Sequence, residues 1–142
     1  MEHDELIQAR EALKAFMLEM NHWEIRFYQV KKHVIEAGQS AEIVDDEARK
    51  ALVEILDKWA FADKANHGRL IGLGCTEPPT YDPDSDVEER AEVSGDTVVF
   101  VFRQTGGLQS LFQFTLRRRG VEWRIKKKEL LNYKDKWQRS VL

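Results

Sequence analysis

The side chains of this sequence that could do chemistry fall into two opposed groups. Between Thr76 and Asp96 the acids Glu77, Asp82, Asp84, Asp86, Glu88, Glu89, Glu92 and Asp96 stand against one base, Arg90. Between Arg117 and Lys128 the bases Arg117, Arg118, Arg119, Arg124, Lys126, Lys127 and Lys128 stand against one acid, Glu122. Apolar, β-prone sequence separates them. Charge segregated in this way is either paired within the molecule or offered to a partner. An exposed ion pair contributes only about 0–1 kcal/mol, so internal pairing alone is a weak reason for it. The segment Asp82–Glu92 is therefore a candidate contact patch for a basic partner, because acids steer association and fill a cationic cleft. Tyr81 at its edge is of the type that anchors interfaces, and it suits equally well a core anchor that pins the proline-containing loop. The patch comprises Tyr81, Asp82, Asp84, Asp86, Glu88 and Glu89. The competing reading is a solvated loop and edge strand kept from aggregating by charge.

Other groups point to less. The basic run with Trp123 could offer phosphate contacts and a stacking platform. Strand alternation, however, turns Trp123 inward while Arg124 and Lys126 face water. A net charge of −3 also draws the chain neither to nucleic acid nor to anionic membrane. Gly72-Leu73-Gly74-Cys75-Thr76-Glu77 begins like a dinucleotide loop, but Glu77 stands where the third glycine belongs. His3, His22, His33 and His67 lack metal-ligand spacing and Cys75 has no paired cysteine, so neither a metal nor a cofactor is expected. Cys75 would be a nucleophile only with a base such as His67 folded against it; its ordinary role is that of a small inert side chain.

These groups must be positioned by a chain of 142 residues, which implies one domain over residues 1–142. Apolar residues at 42% and charged residues at 33% fit a soluble protein. One cysteine fits a reducing compartment. No apolar run approaches the ~18 residues of a membrane span, and the acidic start Met1-Glu2-His3-Asp4-Glu5 is not a secretory signal. A cytoplasmic protein is expected.

The spacing of Leu6, Ala9, Leu13, Phe16, Met20, Trp23, Phe27, Val30 and Val34 predicts a helix over residues 2–36, closed by Gly38. A straight helix of that length spans about 50 Å, against a radius of gyration of about 14–15 Å for such a domain. It must therefore break, best near Asn21-His22, or project at its N-terminal end; the plainer reading is a bent helix wrapped on its own core. A projecting stripe would need a partner such as a second copy of the chain. A second helix is expected over 45–62, capped by Asp45 or Asp46, with Ala48, Leu52, Ile55, Leu56 and Trp59 buried. Residues 63–85 read as loop, held irregular by Pro78, Pro79 and Pro83. An antiparallel meander follows. Strands 86–94 and 97–103 flank Ser94-Gly95-Asp96, Thr105-Gly106-Gly107 leads into 110–118, and Arg119-Gly120 turns into 121–128. Strand 97–103 is apolar on both faces and should be central. Residues 130–142 form a tail strand or short helix anchored by Trp137. Helices followed by strands give an α+β domain with the helices on one face of a curved antiparallel sheet.

The order of elements resembles the nuclear transport factor 2-like fold, in which helices pack on a strongly bent cone of antiparallel strands. Local stretches are more specific: Met20-Asn21-His22-Trp23-Glu24 with Phe27-Tyr28, Pro79-Thr80-Tyr81-Asp82-Pro83, Trp123-Arg124-Ile125-Lys126-Lys127-Lys128-Glu129 and Lys136-Trp137. Together they resemble the nuclear transport factor 2-like immunity proteins encoded beside Rhs and other polymorphic toxins. The resemblance covers residues 20–142, making residues 1–19 an N-terminal extension and Met20 an alternative start. It implies a binding protein, not an enzyme, that holds the toxin domain of a cognate Rhs-type effector and blocks its active site.

Two further readings stay open. Similar cones house enzymes that work with a carboxylate or histidine in the cavity, so one alternative is a cavity enzyme or small-molecule-binding protein. Here the inward positions Phe112, Phe114, Leu116, Val121, Trp123 and Ile125 accept no proton, and a cavity would have to borrow Tyr28, Asp63 or His67. The other is a homodimer built on the first helix.

Overall fold

The computed structural model describes residues 2–105 and 109–142. Helices α1 (Glu2–Glu36), α2 (Glu42–Trp59) and the short α3 (Arg69–Gly72) precede strands β1 (Val87–Ser94), β2 (Thr97–Arg103), β3 (Leu111–Arg119), β4 (Glu122–Leu131) and β5 (Trp137–Ser140). The strands form one antiparallel sheet in sequence order, β1-β2-β3-β4-β5. α1 packs on β1 and β4, and α2 packs on α1 and β4. This is the expected α+β architecture. From Gly106 onward, the expected Thr105-Gly106-Gly107 turn lies outside the described residues.

α1 runs unbroken through Asn21-His22 and its N-terminal part lies on the chain's own core instead of projecting. Ala9, Leu13, Phe16, Met17, Met20, Trp23 and Phe27 are all buried, whereas Ile35 is 56% exposed. The N-terminal stripe is therefore spent on this chain's own core. At the far end Gly38, at φ 73°, takes the left-handed conformation that glycine adopts freely. There Gly38 N–H donates to Ile35 O at 2.9 Å and Gln39 N–H to Val34 O at 3.0 Å, satisfying two terminal carbonyls. α2 leans on this end through Lys31 and Asp45 at 3.1 Å. Asp45 is thus inside α2, which begins three residues earlier than expected. Ser40, not Asp45 or Asp46, accepts the Glu42 N–H at 3.2 Å. Trp23 Nε1 donates to Ala48 O at 2.9 Å and ties the two helices together in the interior.

β2 is an interior strand between β1 and β3, where a central one was expected, and Val98, Phe100 and Phe102 are buried in the core. Under the helices Phe16, Tyr81, Phe112 and Phe114 interlock edge-on or tilted, with ring centroids 5.7–6.4 Å apart. Such pairs contribute about 0.5–1.5 kcal/mol each beyond area burial. The β3–β4 turn is Gly120-Val121, one residue later than expected, with Gly120 at φ 63°. Val121, expected to face inward, is consequently 92% exposed at the turn.

Two irregularities bend the sheet. One lies at Glu88/Arg90 in β1. The other lies opposite Thr115/Leu116, where Thr115 pairs with Lys127 but Leu116 pairs with Ile125. Lys126 is the extra residue, and a bulge of this kind reverses the alternation beyond it. The tail forms β5, and Leu142 is its buried anchor, with Trp137 only half-buried. Gly68 makes room for this tail: a Cβ there would meet Val141 Cγ1 at 2.5 Å.

Candidate functional site

The acidic segment folds into a braced turn. Asp82 N–H donates to Asp86 Oδ2 at 3.0 Å, Asp84 N–H to Asp82 Oδ1 at 3.3 Å, and Asp86 N–H to Asp82 O at 2.7 Å. Burial pushes the Asp86 carboxyl up, and the Asp82 charge adds to this; the Asp82 N–H and the Lys128 charge oppose it. Glu88 is held by a two-pronged pair with Arg10, Nε and Nη2 each 2.9 Å from a carboxylate oxygen. Glu89 pairs with Arg103 on β2. Asp84 and Glu89 are exposed, and Asp82, Asp86 and Glu88 are partly so.

Tyr81 departs from this group, because it has no exposed surface. Its ring lies 5.7 Å from Phe16 and 5.8 Å from Phe114, and Asn21 Nδ2 donates to its carbonyl at 2.7 Å. It anchors the loop from within, where no partner reaches it. Burial pushes its phenol far up, and the hydroxyl has no partner among the described residues.

The basic segment does not neutralise the acidic one. Among the described residues, Asp96 and Arg117 at 3.3 Å form the single ion pair between them. Arg118 reaches Glu5 at 3.1 Å, and Arg124 reaches Glu122 at 3.3 Å and the Asp57 carbonyl at 2.9 Å. Trp123 is buried, as alternation predicts.

Of the groups an enzyme would borrow, Asp63 and His67 lie together, His67 N–H donating to Asp63 O at 3.1 Å, and Tyr28 does not join them. Tyr28 lines an outer groove with Ile25, Gln29, Pro78 and Pro79. Asp63 accepts Arg139 Nη2 at 2.6 Å and Asn66 N–H at 2.7 Å, so its carboxylate is occupied. Burial raises the Cys75 thiol, the opposite of what a nucleophile needs. Gly72 ends α3 and Gly74 follows it, whereas a dinucleotide loop precedes its helix. Among the described residues no His, Cys, Asp and Glu gather as metal ligands do.

The interior nonetheless holds charge, contrary to the expectation from strand alternation. Glu24 on α1 is fully buried, with Oε1 2.7 Å from Arg69 Nη2 on α3. Glu24 also accepts Thr80 N–H at 2.9 Å and Thr76 N–H at 2.7 Å, fastening the proline loop to α1. Burial pushes its carboxyl up, but Thr80, Arg69 and Thr76 outweigh that and hold it below the usual carboxylate value. Arg69 donates further to Gly74 O at 3.1 and 3.0 Å. Lys128, which strict alternation would place outward, is turned inward by the bulge at Lys126 and is 5% exposed. Its Nζ lies 4.5 Å over the Tyr81 ring and 5.5 Å over Phe112. Burial, with Arg69 adding, lowers it to about 7, against the pull of Glu24 and Asp86. A signal for Glu24 was present in the sequence, because it shares a helix face with Met20 and Phe27. Arg69 sits in a glycine-rich stretch without periodicity and gave none.

Residues 8–141 match the family model described as NTF2 fold immunity protein. The chain is 37% identical over 134 residues to Immunity protein RhsIA of Dickeya dadantii strain 3937, a match covering 94% of this chain and 95% of that protein. No solved structure matches.

Proposed function

The chain belongs to the NTF2 fold immunity proteins, and on that premise we propose that it binds the toxin domain of a cognate Rhs-type effector and neutralises it by covering the toxin's active site, catalysing nothing itself. The observation that carries this reading is the end-to-end similarity to Immunity protein RhsIA. The geometry supports action at the exterior. The Asp63 carboxylate proposed for an enzyme is occupied, Tyr28 lies apart from it, and Glu24 holds the proline loop and α3 to α1.

The contact surface we propose is the outer face of the turn and β1, with Asp82, Asp84, Asp86, Glu88 and Glu89 toward the toxin and Tyr81 beneath them as support. Internal bonds fix the turn, so little ordering is required on association. The site of action is the cytoplasm of the producing cell; no described helix is long and apolar enough to cross a membrane. A second copy of the chain would have to use the exposed line Ile7, Leu18 and Ile25 on α1, since the main stripe is buried. Sedimentation of the free protein decides that point, with a single monomer mass ruling out the homodimer.

The test is protection in cells. The gene is expressed beside the toxin domain encoded next to it, and survival is scored with and without the immunity chain. Full toxicity in the presence of stably folded protein would remove the function. Survival with no complex detectable between purified proteins would remove the occlusion mechanism.

A further inference from the structure

Lys128 is the one strongly buried cation among the described residues for which no ion pair or hydrogen bond is found. It lines a pocket of about 430 Å³ between α3, the proline loop and the tail, with Arg69, Thr76, Thr80, Leu130, Val141 and Leu142 among its walls. The pocket is an open depression with room for a small ligand, which would stay partly exposed. The charge balance selects the ligand further. Glu24 compensates Arg69 at 2.7 Å. Asp86, the other carboxylate near Lys128, makes no ion pair with it and does not line the pocket. The protonated form of Lys128 is therefore a cation that no carboxylate pairs, and an anion reaching it would offset the cost of burying that charge. The remaining walls are largely apolar, which favours a monoanion carrying a hydrocarbon body over phosphate.

We propose that this pocket binds a small organic carboxylate, with Lys128 and Arg69 holding its oxygens and Leu130, Val141 and Leu142 covering its apolar part. No turnover is implied, and the site is independent of the protective role.

The test uses the purified full chain alone. Benzoate, butyrate, inorganic phosphate and benzyl alcohol are titrated while backbone amide resonances are followed. Benzoate or butyrate should shift Gly72, Gly74, Thr76 and Thr80 saturably, with Kd below about 1 mM, whereas phosphate and the uncharged alcohol should bind at least about tenfold more weakly. Lys128→Met, which keeps the bulk of the stem and the fold, should weaken benzoate at least about tenfold. Absence of a saturable shift at these amides, or equal affinity in Lys128→Met, would overturn the site. Preference for phosphate would overturn the carboxylate assignment. Displacement of benzoate by the cognate toxin domain would show that the carboxylate comes from the partner and overturn the assignment to a free small molecule.

Discussion

Glu24 Oε1 and Arg69 Nη2 meet at 2.7 Å with both side chains almost wholly removed from solvent, joining the middle of α1 to α3. Removing either partner leaves the other as an uncompensated buried charge. Glu24→Ala should therefore lower unfolding free energy by about 3–5 kcal/mol, measured by urea denaturation at neutral pH. The double variant Glu24→Leu with Arg69→Met should lose much less than the sum of the single changes. Because the folded carboxyl sits below its ordinary value, its contribution is present above the unfolded pKa and lost as pH falls through the folded one.

Lys128 gives the opposite dependence. Its folded value is lowered to about 7, so the unfolded chain binds the extra proton between that pH and the ordinary lysine value near ~10.4. Stability should rise with pH across this window. The control is Lys128→Met, which should be more stable than the parent at pH 6 and should lose this rise. Parallel denaturation curves for the two chains from pH 6 to pH 10 would contradict it.

The Tyr81 hydroxyl is buried without a partner, so Tyr81→Phe should leave stability unchanged within about 1 kcal/mol or raise it. Tyr81→Ala, which empties the space between Phe16 and Phe114, should cost about 3–5 kcal/mol. Thermal melts of both variants check this. A large loss in the Phe variant would mean that the hydroxyl is bonded after all.

Asp84 and Glu89 are the exposed acids least needed by the turn. Reversing both to lysine should reduce the association rate with the toxin domain by about tenfold at low salt, with a smaller effect at high salt. The melting temperature should hold. Stopped-flow mixing at two ionic strengths reads the outcome. An unchanged rate would move the interface elsewhere, with the outer sheet face around Arg117, Arg124 and Lys126 next in line.

A chain beginning at Met20 lacks Ala9, Leu13, Phe16 and Met17, which are 0–1% exposed in the core. It should fail to fold and fail to protect, seen as loss of the cooperative thermal transition. A folded, protective shortened chain would make residues 1–19 a dispensable extension.

Local pattern was enough to mark α1, the meander and most inward strand positions, because helix and strand periodicities report which face is buried. It also marked Trp123 as interior and Gly38 as the helix stop. Three outcomes depended on tertiary packing. The N-terminal part of α1 lies on the core instead of projecting, since the sheet covers its stripe. Tyr81 lies beneath the acidic turn because Phe16 and Phe114 leave a ring-sized space there. Lys128 faces inward because one extra residue at Lys126 reverses the strand's alternation, and nothing in a run of three lysines shows which of them a bulge will turn. The sequence determined where apolar surface would be buried; long-range packing determined which charges were buried with it.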